Sequence, residues 1–306
     1  GFANFTTEYI NKNKTLRPGF DFRKGFGEAA IQGFNLFANM AIPISDKTEF
    51  YAFGGRNYRD TDAYAFTRND GKRVVESIYP GGYTPRITSN ILDNSFAAGF
   101  RTETASGWKI DISNTYGKNL FHYFIKGTIN ASLEEASPTE FDAGGHSLSQ
   151  NTMNFDFSKN YSSVLNGMNI AFGAEFRTEK FNIFAGEQGS YATYDTNGLP
   201  ITNPATQSAP IDPISEEARP GGSQGFPGYS PANAVDQSRT NLSLYSDAEF
   251  DLSENFLVST AVRYENYSDF RSTLNGKIAA RLKASKNINF RGSLSTGFRA
   301  PSLARI

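Results

Sequence analysis

Few side chains in this 306-residue chain have the chemistry of a reactive centre. It holds two histidines, His122 and His146, and no cysteine, which removes disulfides, thiolate metal sites and cysteine nucleophiles. His122 lies in an aromatic stretch and His146 follows Gly144-Gly145, neither with a carboxylate at metal-ligand spacing. An ordinary strand or loop place is the simpler reading for both, and no metal or resident cofactor is assigned. Asp60, Asp62, Asp70 and Asp93 carry the oxygens that hard cations take, but their spacing fits no EF-hand loop, and solvated acids are the plainer reading. No Gly-rich phosphate loop follows a strand pattern, no Gly-x-Ser-x-Gly stands on a strand-to-helix elbow, and His-Glu-x-x-His is absent. An enzyme is therefore not expected. The residues left for ligand contact are Tyr191, Tyr194, Phe226 and Tyr229, in a stretch rich in Gly, Pro, Ser and Asn, together with His146. Loops on a rigid scaffold carry binding function, and exposed aromatics there would meet a ligand first.

The charged residues have a second kind of order. Glu175 and Arg177, Arg263 and Glu265, and then Arg281, Arg291 and Arg299 stand at alternate positions between apolar residues. Such alternation puts them on one face of a strand. From Thr240 to Leu252, Leu242, Leu244, Ala248, Phe250 and Leu252 alternate with Ser243, Tyr245, Asp247, Glu249 and Asp251. The same pattern recurs over Phe256 to Tyr267, Thr273 to Ala284 and Asn287 to Ala300, joined by the short Ser253-Glu254-Asn255 and Ser285-Lys286. These segments are close to the 9–11 tilted residues that cross a bilayer as a strand, and longer than the usual 5–6 of globular strands. A Lys or Arg facing lipid near mid-membrane costs about 2–4 kcal/mol. The charged face must therefore look into a wet lumen or onto an inner domain, and the apolar face onto lipid.

Earlier segments repeat the pattern, including Ala30 to Ile42, Phe96 to Arg101, Trp108 to Ser113, Met153 to Ser158 and Ile170 to Arg177. In all there are about eleven strands, with short connections alternating with long polar ones at 11–27, 69–93, 131–147 and 186–238. Short turns at one end and long loops at the other mark an outer-membrane barrel, as do aromatics near strand ends such as Trp108, Tyr161 and Tyr267. The fold class is all-β, an antiparallel transmembrane β-barrel, with residues 1–306 forming part of it. Composition agrees: aromatics reach 14%, with 27 Phe and 15 Tyr, a balance that favours sheet. The net charge of −1 speaks against a nucleic-acid partner. A mean hydropathy of −0.47 and the lack of a long apolar run exclude a transmembrane helix but not a barrel. An odd, open set of strands would leave two unpaired edges in a membrane, so further strands are expected outside this sequence.

Several stretches together resemble the barrel of TonB-dependent outer-membrane receptors: Tyr79 to Pro85, Gly107 to Gly117, Ser137 to Gly144, Phe172 to Arg177, and most of all Ser293 to Leu303. The resemblance implies a 22-stranded barrel with an N-terminal plug, a type known among large plugged barrels. It also implies energised uptake of a scarce nutrient, such as a ferric siderophore, across the bacterial outer membrane. The implied partners are TonB and its inner-membrane partners, a small-molecule or metal-chelate ligand, and outer-membrane lipid. Neither a plug nor a TonB-contacting segment is read in this sequence. Phe298-Arg299-Ala300-Pro301 is similar to a box noted in haem receptors, but it occurs in receptors for other substrates too. Its plainer reading is strand chemistry, with Phe298 on lipid, Arg299 on the lumen or plug, and Pro301 ending the ladder.

Three other readings stand beside this one. A secreted or surface β-rich adhesin would carry ordinary hairpins and stay monodisperse without detergent. A passive porin would have a lumen free of plug contacts. Outer-membrane hydrolases use acids and a histidine at the rim of smaller barrels.

Overall fold

Where apolar and polar residues alternate, the chain is extended and each strand pairs with its neighbours in sequence. The computed structural model describes residues 1–11, 28–69 and 71–305. In it β1 (Phe2–Ile10), β2 (Ala30–Ser45), β3 (Thr48–Tyr64), β4 (Arg86–Glu103), β5 (Lys109–Lys126) and β6 (Glu140–Tyr161) are followed by β7 (Met168–Phe184), β8 (Val235–Ser253), β9 (Phe256–Tyr267), β10 (Thr273–Lys283) and β11 (Asn289–Ser295). These eleven strands form one antiparallel sheet in strict chain order, open between β1 and β11. No helix among the described residues is long and apolar enough to cross a membrane.

The two faces differ in kind. On the outer face Leu244 lies opposite Tyr264, which lies opposite Leu274, while Ile278 lies opposite Leu294. All five are exposed, Leu294 to 78%. A face of this composition fits hydrocarbon, where the backbone is already satisfied by the ladder and the side chains supply the apolar band. On the inner face of the same strands stand Ser243, Tyr245, Arg263, Glu265, Asn275 and Lys277.

The turns at 46–47, 104–108, 162–167, 254–255 and 284–288 are short. At the opposite end the connections at 65–85, 127–139 and 185–234 are long, but that between β9 and β10, 268–272, is short. The long strands reach further up than alternation alone indicates. Residues 86–93, 140–147 and 235–238, expected within the loops at 69–93, 131–147 and 186–238, are strand. Their upper parts mix polar and apolar residues on both faces, and cross-strand polar pairs stand among the apolar contacts. Arg59 meets Asp93 at 3.2 Å, Arg86 meets Asp62 at 2.9 Å, and the hydroxyls of Thr61 and Ser89 lie 2.5 Å apart. The expected loop at 11–27, apart from Asn11, and the candidate Asp70 lie outside the described residues.

Over this end the three long connections form a cap with its own small core. Val74, Val75, Tyr83, Ile129 and Ala131 are buried together, with Ile78 and Tyr79 packed against them. Buried polar side chains tie the loops to each other. Asn130 donates from Nδ2 to the carbonyls of Gly189 and Ala192, both at 2.8 Å, and the Thr128 hydroxyl donates to the Gln224 carbonyl at 2.8 Å.

Candidate functional site

Four of the residues placed on the lumen side by alternation form one network. Glu175 on β7 faces Ser243 on β8, which faces Glu265 on β9. The short Ser243 leaves room for longer side chains to meet across it. Arg177 lies 3.1 Å from Glu175 and 3.9 Å from Glu265, while Arg263 lies 3.2 Å from each of the same two carboxylates. Ser243 and Asn241 beneath them are almost wholly buried. Two guanidiniums and two carboxylates thus neutralise one another on the wall. Arg281 and Arg291 face each other across β10 and β11, away from this network, and Arg281 Nε is buried without a hydrogen-bond partner among the described residues. Arg299 lies past the end of β11, beside a cavity that Arg177 and Glu265 also line.

Lower on the same wall, towards the short turns, two tyrosines cross glycines to reach aspartates. Tyr51 on β3 lies over Gly99 on β4 and donates to Asp111 Oδ1 on β5 at 2.8 Å. Tyr245 on β8 lies over Gly173 on β7 and donates to Asp156 Oδ1 on β6. Asp111 and Asp156 are themselves opposite each other. A side chain at Gly173 would put its Cβ 2.6 Å from Tyr245 Cε1, so each glycine is the gap through which a phenol reaches its acceptor. No motif in the sequence marks these relays, because each joins three strands.

Near the cap the inner face becomes aromatic. The His146 ring lies parallel to Phe121, centroids 5.6 Å apart and planes 7° apart, and beside Tyr123 and Phe181 at 6.0 and 6.5 Å. Tyr123 also meets Phe226 at 5.0 Å and Tyr229 at 6.4 Å, and those two meet edge to face at 5.7 Å. The structure therefore brings His146, Phe226 and Tyr229 together, although about 80 residues of chain separate the first from the other two. It does not bring Tyr191 and Tyr194 to them. Tyr194 is turned into the cap, 8% exposed, its backbone N–H bonded to Ser132 Oγ at 2.9 Å, and burial pushes its phenol pKa up. Tyr191 ends the helical turn Gln188–Tyr191 in the same loop. Phe121, Tyr123 and Phe181 were not singled out from sequence. Their signal was available, since Phe121 and Tyr123 continue the parity of Asp111 and Ser113 up β5.

His122 has the opposite parity to Phe121 and stands on the outer side, its Nε2 2.8 Å from Asp142 Oδ1 and its ring beside Phe124 and Phe184. Gly221-Gly222-Ser223-Gln224-Gly225 spells the spacing of a nucleophile elbow. Ser223, however, is buried in the cap and donates to the Phe226 carbonyl at 2.8 Å, an inert arrangement. Phe298 does not lie on lipid as its strand reading implies. β11 ends at Ser295, and Phe298 packs on Tyr267 and on Phe270 at 5.3 Å. The physical reason is that Tyr267, on the inner face, offers a ring where the ladder has ended.

The inner face thus carries a ring-lined vestibule beneath the cap, above a wall of paired charges. Comparison with known proteins fits that description. The family described as TonB dependent receptor-like, beta-barrel matches residues 16–306. Curated protein sequences give no match. Among solved structures, the siderophore receptor PirA from Acinetobacter baumannii matches with a TM-score of 0.57 at 14% identity, over 90% of this chain and 35% of that one. A mutant of the ferric enterobactin receptor PfeA from Pseudomonas aeruginosa gives 0.58 at 10% identity, over 95% and 36%. The iron transporter FrpB from Neisseria meningitidis gives 0.52 at 9%, over 95% and 41%. At these identities the likeness is one of fold. The chain spans about a third of the length of the two siderophore receptors.

Proposed function

The chain belongs to the TonB-dependent receptor-like β-barrel family, and on that premise we propose that it is wall and cap of an outer-membrane receptor that takes up a scarce nutrient with energy from TonB. The observation that carries this reading is the opposition of its faces: an exposed apolar outer face, and an inner face whose charges are paired and lead up to an aromatic vestibule. Ligand is captured where His146, Phe226 and Tyr229 meet Phe121 and Tyr123. Flat ring faces suit a ligand with aromatic or otherwise planar groups. A ferric siderophore is the proposed class, since PirA is a siderophore receptor and PfeA a ferric enterobactin receptor. Glu175, Arg177, Arg263 and Glu265, with Arg281, Arg291 and Arg299, face the lumen, where the family's plug would rest. TonB acts through that plug. No enzymatic step is part of this proposal.

The test uses the full-length gene product extracted from membranes. Heat-modifiable gel migration with detergent-dependent solubility is expected, followed by saturable binding of ferric enterobactin or another ferric siderophore. Removing Phe226 and Tyr229 together (Phe226→Ala, Tyr229→Ala) is expected to weaken that binding about ten-fold or more, from two lost ring contacts. A soluble, heat-insensitive protein would end the receptor reading and bring the adhesin forward.

A further inference from the structure

Beyond β11 the chain does something the ladder does not require. Thr296 still exchanges bonds with Gly276 of β10, its N–H donating to the carbonyl and its hydroxyl accepting from the N–H, each at 2.9 Å. The chain then leaves the sheet and crosses the inner face. Phe298 inserts between Tyr267 and Phe270, and Leu303, 5% exposed, is buried against the wall. Between them Arg239 of β8 holds the Pro301 carbonyl with both terminal nitrogens, each at 3.0 Å. Arg239 is itself 4% exposed and fixed from behind, by Glu179 at 3.0 Å and by the Tyr267 ring, 5.6 Å from its guanidinium carbon. A buried guanidinium whose fork closes on one backbone carbonyl gives its geometry to that carbonyl.

The position of this contact suggests what it does. With Leu148, Arg177, Glu179 and Glu265 the crossing segment lines a partly open cavity of about 370 Å³. Leu148 and Glu179 are each two residues from the vestibule aromatics His146 and Phe181, on the same face. That is about 7 Å along a strand.

We propose that residues 296–303 are a strap forming the floor of the vestibule, and that Arg239 is the positioning residue that latches it to the wall. The strap separates the aromatic ligand site above from the charged wall below. A ligand moving inward must displace it, which breaks the Arg239 contacts with Pro301. This role for the strap rests on the receptor reading, but the latch itself can be tested without any ligand.

Residues 1–306 contain no cysteine, so a single reporter, Leu303→Cys, is placed in the full-length protein cleared of other thiols. Its reaction with a membrane-impermeant maleimide is followed in intact outer membranes. Slow labelling is expected with Arg239 present. Arg239→Ala is expected to speed labelling about ten-fold or more, because a buried group reacts through local opening. Phe298→Ala, which leaves the wall intact, is expected to speed it as well, and Arg239→Lys to fall between, since an ammonium has no fork. Heat-modifiable migration confirms a folded barrel in each variant, and if Arg239→Ala fails it, Phe298→Ala decides. Equal rates in folded variants would overturn the latch. Absence of siderophore binding by the folded, unsubstituted protein, with the latch rates as expected, would instead overturn the ligand reading alone.

Discussion

On the sheet, Leu244, Val262 and Leu294 stand exposed while Ser243 and Asn241 are buried; in the cap, Val74, Val75 and Ile129 are buried while Glu76, Glu216 and Glu217 stand exposed. One chain thus obeys two opposite rules within a few nanometres. The cap follows the rule of a water-soluble protein, in which apolar area leaves the solvent. The sheet follows that of a barrel wall, whose outer surface meets hydrocarbon and whose inner surface is polar. The border between them can be read on the outer face of β4. Phe100 and Phe96 are exposed, and two residues above Phe96 the same face turns to Asn94, then Leu92, Asn90, Thr88 and Arg86. The hydrocarbon ends there, and above it the strands continue in water.

The sharpest way to break the cap alone is through its buried ion pair. Arg219 and Asp212 lie 3.0 Å apart with side chains 8% and 3% exposed, and Arg219 also donates to the Val74 carbonyl at 2.7 Å. Arg219→Ala leaves a buried carboxylate and an unmet carbonyl, a loss of about 3–5 kcal/mol to the cap. The expected result is rapid protease cleavage within 185–234, while heat-modifiable migration of the barrel is unchanged.

Charge on the wrong face should break the sheet in turn. Leu244→Arg, on the outer face, is expected to cost about 2–4 kcal/mol if it lies near the bilayer midplane. Reduced folded yield in lipid vesicles would show it, with the cap intact in whatever fraction folds. Native Lys277, on the inner face, already shows that a cation is accepted there.

A smaller effect separates close packing from exposure. Gly173→Ala drives a methyl into the Tyr245 ring and pulls its hydroxyl from Asp156, an overpacking cost of about 1–3 kcal/mol. Gly117→Ala, on the same inner face with nothing within 4 Å of its Cβ, is expected to be close to neutral. Denaturant midpoints of the refolded barrel compare the two.

The smallest effect is the pH response of the cap. Burial raises the Asp212 pKa, but this is outweighed by hydrogen bonds from the Ser215 side chain and backbone and by the Arg219 charge, which leave the carboxyl below its ordinary value. A carboxyl depressed on folding contributes stability above its unfolded pKa of about 3.9, and that contribution is lost as pH falls through the folded value. Protease sensitivity of 185–234 is therefore expected to rise only below about pH 4. Asp212→Asn should lack that step.

How much of this was legible beforehand differs by region. Strands β8 to β10 and the turns between them read directly, because alternation against lipid is strict and a one-residue slip would turn every side chain to the wrong face. Residues 86–93 of β4 and 140–147 of β6 read as loop, since polar and apolar residues there keep no strict alternation: Thr88, Ser89 and Asn90 run together, as do Gly144, Gly145 and His146. Charge alternation placed Glu175, Arg177, Arg263 and Glu265 on one face, but not in one network. That depended on register, which sets Glu175 and Glu265 on either side of Ser243.

The candidate ligand residues show where local information ends. His146, Phe226 and Tyr229 were chosen as aromatics or a histidine in loops, as were Tyr191 and Tyr194. Nothing local distinguishes the two groups, and the cap decides between them by folding Tyr194 inward against Ser132 while presenting Phe226 and Tyr229 to Tyr123. The sequence by itself determined a sheet of about eleven long antiparallel strands and which face of each is apolar, because periodicity is a property of neighbours along the chain. Only the tertiary structure decided which rings meet, which carboxylate each tyrosine reaches, and that Phe298 turns inward. Those contacts join strands and loops far apart in sequence, and register and burial, not residue type, select them.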